Sequence, residues 1–91
     1  MRRWFCYILE SYDENFPKGS ALIYKKPSIY CGKNEVRDMI LMNINTGKQR
    51  VVAKVIGLGY ADFEDEEDFA KRLGDVIKKK LADCGVVRAA G

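Results

Sequence analysis

The chain has 91 residues, 47% of them hydrophobic and 32% charged, with 16 basic and 13 acidic side chains. This length and composition predict one globular domain over residues 1–91 and exclude global disorder. Histidine is absent, which removes the commonest general base, the commonest metal ligand and the usual partner of a nucleophile. We therefore expect a non-enzymatic protein that uses no metal and no cofactor.

The cysteines and the apolar segments indicate a cytoplasmic protein. Cys6, Cys31 and Cys84 are odd in number and widely spaced, which is typical neither of a disulfide framework nor of a zinc site. No apolar run approaches the roughly 18 residues of a membrane span. The apolar start of the chain meets Glu10 without a small-residue cleavage site, so we interpret it as a strand rather than a signal peptide.

Residues 3–12 are apolar on both alternating sets, which predicts a central strand in a sheet covered on both faces. One helix covers only one face, so we expect a homodimer partner or another protein on the second face. Residues 13–19 are predicted as a loop and 20–25 as a second strand, ended by Pro27. Residues 28–31 are predicted as a short edge strand.

The clearest local structure is a β-hairpin formed by strands over 36–45 and 49–58. The turn between them suits a type I turn with Gly47 in the left-handed conformation. Gly57 and Gly59 indicate a bulge or the end of the second strand.

From residue 65 to 84 the apolar period becomes helical, with one stripe formed by Phe69, Leu73, Val76, Ile77, Leu81 and Cys84. Asp65 is predicted as the N-cap, and acidic residues in the first turn complement the helix dipole. Gly85 is predicted to end the helix, with Val86 contacting Leu81. Together the elements predict an α+β fold: a four- or five-stranded, mainly antiparallel sheet with one C-terminal helix packed on a face.

Six of the 13 carboxylates lie within residues 62–68, around the predicted start of the helix. Capping and solvation explain two or three of them. A dense carboxylate cluster also imitates a nucleic-acid backbone and fits the basic grooves of proteins that handle DNA or RNA. A metal is a weaker alternative, since the calcium-loop glycine is missing. The predicted protein-contact residues are Asp62, Glu64, Asp65, Glu66, Glu67 and Asp68.

A second candidate surface combines lysines and tyrosines around residues 23–33. Lysines attract phosphate and tyrosine rings stack on bases, a combination that binds single-stranded nucleic acid. Residues 1–61 contain ten basic and five acidic side chains, so we expect a basic sheet surface. The alternative is an edge strand that lysine and proline protect against aggregation. The predicted nucleic-acid-binding residues are Tyr24, Lys25, Lys26, Tyr30, Lys33 and Arg37.

Two short patterns resemble known families. Residues 32–37 (Gly-Lys-Asn-Glu-Val-Arg) and 51–55 are similar to the pattern of ASCH/PUA-like β-barrels, which implies RNA binding. Residues 5–11, with 30–32 and Arg37, resemble the opening of GIY-YIG nucleases. That family has a helix after the arginine, where a strand is predicted here, so no catalytic or metal-binding residue is carried over.

The general build of the chain also bears on function. It is small, α+β and free of histidine, and its acidic residues are clustered. In these respects it resembles phage-encoded inhibitors, including anti-CRISPR proteins, which implies a viral protein acting in the host cytoplasm. We therefore expect a binding protein that acts through protein–protein contact, as an inhibitor of a nucleic-acid-handling complex. The alternative is a small RNA- or DNA-binding domain that uses the basic sheet surface.

Overall fold

The computed structural model describes residues 1–26 and 32–86, which form a four-stranded antiparallel sheet followed by one helix. The elements are β1 (Arg2–Ser11), β2 (Ala21–Tyr24), β3 (Val36–Met42), β4 (Gln49–Asp62) and α1 (Glu66–Asp83). The strand order β2-β1-β4-β3 places β1 and β4 in the centre. The predicted α+β fold with a C-terminal helix is confirmed. The strand predicted over 28–31 lies outside the described residues.

The two faces of β1 contribute to two separate hydrophobic clusters. Phe5 belongs to the cluster on the helix side, which also contains Ile56, Leu58, Phe63 and Leu81. Cys6 and Ile8 belong to the cluster on the opposite side. That second cluster is covered within the chain by Phe16, Leu22, Tyr24 and Met39. The expectation of a homodimer therefore loses the observation on which it was based.

β4 is longer than predicted because a bulge interrupts it without ending it. Cys6 of β1 lies opposite Gly57 and Phe5 lies opposite Gly59, so Leu58 is the extra residue. Gly59 has a φ of 80°, a conformation that glycine adopts without steric cost. The predicted bulge is confirmed. The predicted strand end at residue 58 is wrong, because pairing with β1 resumes and continues to Asp62.

The hairpin between β3 and β4 forms as predicted, with a longer turn. The Asn43 side-chain oxygen accepts hydrogen bonds from the backbone N–H groups of Asn45 and Thr46, at 2.9 and 3.2 Å. These local bonds compete with strand pairing, so β3 ends at Met42 instead of residue 45. Gly47 has the predicted left-handed conformation, with a φ of 71°.

Both ends of α1 agree with the sequence. The Asp65 side chain accepts the backbone N–H of Asp68, and Gly85 follows the helix with a φ of 72°. The N–H of Val86 donates to the carbonyl oxygen of Leu81 at 2.9 Å, as in a Schellman motif. Leu81 is buried, and the half-buried helix residues that pack on the same cluster are Phe69, Leu73, Val76, Ile77 and Cys84. In the described part of the chain, no helix has both the length and the hydropathy to span a membrane.

The cysteines lie in different surroundings. Cys6 is buried in the sheet. Cys84 is a free thiol whose sulfur lies 3.9 Å from the carbonyl oxygen of Gly57. Cys31 is outside the described residues, so the prediction that it is a free thiol stays a prediction.

Candidate functional site

The acidic run divides into residues that stabilise the fold and residues that face solvent. Asp62 belongs to the first group, because it forms a bidentate contact with Arg2 across β4 and β1. The two nitrogen–oxygen distances are 2.7 and 3.1 Å. The hydrogen bond from Arg2 lowers the pKa of the Asp62 carboxyl below its ordinary value.

Asp65 and Asp68 close the start of α1. Asp65 accepts the backbone N–H of Asp68 at 2.8 Å, and Asp68 accepts the backbone N–H of Glu64 at 2.9 Å. Asp68 also accepts a hydrogen bond from Arg72, four residues along the helix, at 2.8 Å. The Glu64 N–H, followed by Arg72, lowers the pKa of the Asp68 carboxyl. Capping therefore explains these two predicted contact residues.

The outward acidic triad, Glu64, Glu66 and Glu67, is the part of the run that remains exposed. Glu67 lies 3.1 Å from Lys71, but both side chains are more than 70% exposed, so this pair contributes little to stability. Glu64 and Glu66 form no ion pair with any residue of 1–26 or 32–86. Half of the predicted acidic surface is thus present as solvated charge at one end of the molecule.

Ion pairs neutralise much of the predicted basic sheet surface. The pairs are Arg2–Asp62, Arg37–Glu35, Arg50–Asp13 and Lys54–Glu10. Among the predicted nucleic-acid-binding residues, Arg37 is therefore partly neutralised. Lys25, Lys26 and Lys33 are exposed and form no ion pair with a described residue, while Tyr30 lies outside the described residues.

Half of the large apolar residues that are exposed in the described part of the chain lie on one segment that was not predicted as a site. This segment is the hairpin arm, which we define as residues 40–51, beyond the bulge between Met39 and Ile40. Its exposed apolar residues are Ile40, Leu41, Met42, Ile44 and Val51. Each of them is at least 40% exposed, and Ile44 is 91% exposed.

The arm is uncovered on both faces. Ile40 and Leu41 are neighbours in β3, so their side chains point to opposite faces, and both are exposed. β3 is also an edge strand, with no described strand paired to its outer side. Exposed apolar side chains gathered on one short segment mark an interaction site more often than side chains scattered singly over the surface.

A second surface that the sequence did not reveal is a row of aromatic rings. Trp4 lies directly opposite Tyr24 of β2 and opposite Tyr60 of β4. The ring centroids of Trp4 and Tyr60 are 6.0 Å apart, with planes tilted by 49°. Tyr24 was predicted as a binding residue, but Trp4 and Tyr60 were not. Simple alternation from Ile56 and Leu58, which both pack on the helix side, would place Tyr60 on that side as well, so only the bulge brings it to the face of Trp4.

No protein-family model, curated protein or solved structure matches this chain. Within residues 1–26 and 32–86, no three cysteine, aspartate or glutamate side chains converge as metal ligands. The hairpin arm, the outward acidic triad and the aromatic row are therefore the candidate functional surfaces of the chain.

Proposed function

We propose that the chain is a non-enzymatic binding protein that acts through protein–protein contact, with the hairpin arm as its main contact surface. The observation that supports this proposal is the set of exposed apolar residues on both faces of the arm. Burying one such side chain contributes about 1.5–3 kcal/mol, so a few of them suffice for a specific contact.

The local structure of the arm makes it suitable for binding. The turn is held by the side chain of Asn43, and Gly47 donates its N–H to the Asn43 carbonyl oxygen at 2.7 Å. Ile44 lies within this ordered turn. An apolar residue whose backbone is already ordered loses less conformational freedom on binding than one in an unstructured loop.

The outward acidic triad supports a finer proposal about the partner. Glu64, Glu66 and Glu67 are not needed for capping, which Asp65 and Asp68 provide. Clustered carboxylates complement a basic groove, and basic grooves occur in proteins that bind nucleic acids. We propose that the partner is a nucleic-acid-handling protein and that the chain inhibits it.

The partner is identified first and the surface is tested second. The immobilised chain retains proteins from a lysate of its native host, and the retained protein is identified and purified. Sedimentation of the chain alone measures self-association over the same concentration range. A dimer that forms through the arm would contradict a contact with a different protein.

Ile44→Asp tests the arm. We expect this change to raise the dissociation constant for the purified partner at least tenfold, because it places a charge where an apolar side chain is buried. Asn45→Asp is the matched control, since it introduces the same charge at the neighbouring position. Equal binding by Ile44→Asp and wild type would exclude the arm, and an equal loss in both variants would indicate a general charge effect.

Charge reversal of the outward acidic triad tests the finer proposal. We expect Glu64→Lys, Glu66→Lys and Glu67→Lys together to weaken partner binding, most strongly at low salt, because exposed charges are screened by ions. The cost to folding is about 0.3–1 kcal/mol for each residue through the helix dipole. Asp75→Lys, an exposed acid elsewhere on α1, is the control. If the triple variant binds as tightly as wild type, the acidic residues serve capping and solubility.

A further inference from the structure

The aromatic row lies on the sheet face opposite the helix. In β1, Phe5 packs in the helix-side cluster while Cys6 and Ile8 pack in the other, so alternation places Trp4 on the helix-free face. Tyr24 and Tyr60 are its direct partners in the two neighbouring strands and therefore project from the same face. Tyr60 is 49% exposed, and the other two rings are half-buried.

A guanidinium group covers one face of the Tyr60 ring and presents its own outer face in place of it. The Arg2 guanidinium carbon lies 4.1 Å from the centroid of the Tyr60 ring. Its bidentate contact with Asp62 holds it in place and neutralises its charge. Arg2 therefore contributes a planar stacking surface more than a net positive charge.

Lysines lie at both ends of the row. Lys25 and Lys26 follow Tyr24 at the β2 edge and are exposed. At the other edge, the side-chain carbons of Lys33 lie against Gly59, where a Cβ would stand 3.5 Å from Lys33 Cδ. The Lys80 ammonium reaches this edge from α1, on the opposite face, and donates to the carbonyl oxygen of Tyr60 at 2.6 Å, so Lys80 is not part of the row. Burial, and after it the charge of the nearby Lys33, lowers the pKa of Lys80.

We infer that this face is a stacking platform for a single-stranded nucleic acid, with bases on the aromatic row and phosphates at the lysines on either side. Neighbouring strands are about 4.8 Å apart, so the row from Tyr24 to Tyr60 spans about 10 Å, which suits two or three bases. A duplex does not fit this surface, because its bases are stacked on one another and cannot reach the rings.

The platform is independent of the proposed protein contact. Tyr60 and Val51 are nine residues apart in β4, which corresponds to roughly 30 Å along the strand. The hairpin arm and the aromatic row therefore lie at opposite ends of β4. Substitutions in the arm therefore leave the aromatic row unchanged, and substitutions in the row leave the arm unchanged.

The test uses the fluorescence of Trp4, the single tryptophan of the chain. A short oligothymidylate, a short oligouridylate and a DNA hairpin duplex are titrated into the full chain. We expect both single strands to quench Trp4 fluorescence and the duplex to bind at least tenfold more weakly. The ratio of the dissociation constants for the oligothymidylate and the oligouridylate tells whether the chain prefers DNA or RNA. Unchanged fluorescence, or duplex binding as tight as single-strand binding, would overturn the inference.

Variants separate stacking from charge. Tyr60→Leu should raise the dissociation constant for the oligothymidylate about tenfold or more, as loss of a stacked base does. Tyr12→Leu is the matched control, because Tyr12 is 54% exposed and lies outside the row. Thermal unfolding of both variants establishes that they fold. Equal binding by Tyr60→Leu and wild type would overturn the stacking contact.

Lys33→Gln tests the phosphate contact through the salt dependence of binding. Removing one phosphate contact should reduce the slope of log affinity against log salt by about 0.7 for a single strand. Lys48→Gln, in the hairpin turn, should leave the slope unchanged. Equal slopes for Lys33→Gln and wild type would remove Lys33 from the site and overturn the proposed placement of the phosphates.

Discussion

The two ends of β4 use similar apolar sequences in different ways. From Val52 to Leu58 the apolar residues are buried, whereas Val51, directly before them, is 40% exposed. The difference follows from what covers each segment, because α1 packs on Ile56 and Leu58, whereas Phe16, Leu22, Tyr24 and Met39 pack on Ala53 and Val55 from the other face. An 18-residue helix is about 27 Å long, while a 14-residue strand is about 46 Å long. A helix that starts beside the end of β4 therefore leaves the hairpin arm uncovered on its own face, and the residues that cover the other face do not pack on the arm either.

The largest expected difference between the two ends is the loss of unfolding free energy when an apolar side chain at each end is truncated to alanine. Leu58→Ala removes a fully buried side chain from the helix-side cluster and should reduce the free energy of unfolding by about 2–5 kcal/mol. Ile44→Ala, in the arm, should change it by no more than about 0.5 kcal/mol. Urea unfolding of both variants measures the difference. Similar losses in both would mean that the arm belongs to the stabilising core.

A smaller loss of stability is expected from substitutions at the start of α1, beside the end of β4. Asp65→Ala removes the side chain that caps α1 and should cost about 1 kcal/mol. Glu66→Ala, at the next position, removes only a charge near the helix dipole and should cost about 0.3 kcal/mol. Thermal unfolding of the pair decides whether capping, rather than negative charge in general, sets the start of the helix. A larger loss for Glu66→Ala would contradict the capping assignment.

The smallest expected effect is the dependence of stability on pH, which is set by carboxyl groups that lie outside the arm. Asp13, Asp62 and Asp68 have lowered pKa values, because of hydrogen bonds from Asn15, Arg2 and Glu64 respectively. A carboxyl with a lowered folded pKa stabilises the protein above its unfolded pKa of about 3.9, and the stabilisation is lost as the pH falls toward the folded value.

The free energy of unfolding should therefore be nearly constant at neutral pH and decrease below about pH 4. Asp68→Asn should make this decrease shallower, because one of the titrating groups is removed. The arm contains no acidic residue, so Asn45→Gln should leave the pH profile unchanged. Urea unfolding at several pH values provides the measurement. A profile that Asp68→Asn does not alter would contradict the assigned hydrogen bonds.

The features that were predicted correctly depend on residues close together in sequence. Asp65 caps an amide three residues away, and Gly85 and Val86 bond to carbonyl groups within five residues. Gly47 adopts its left-handed conformation within a six-residue turn, residues 43–48. Such interactions are encoded by local spacing, so residue type and periodicity suffice to predict them.

The features that were missed depend on residues far apart in sequence. Arg2 and Asp62 are 60 residues apart, and their pairing converts a predicted contact acid into part of the sheet. The aromatic row forms because the bulge around Leu58 shifts the register, so that Tyr60 lies opposite Trp4. The register between distant strands depends on how both faces of the sheet pack, so it cannot be predicted from the sequence of either strand alone.

The sequence by itself determined the α+β fold class, the hairpin and the start and end of the helix, because turns, caps and hydrophobic periods act over a few residues. Only the tertiary structure decided which apolar residues remain exposed on the hairpin arm and which acidic residues face solvent. It also decided that Tyr24, Trp4 and Tyr60 share one face. These properties follow from strand order, register and the reach of one helix, which are set when the whole chain packs together.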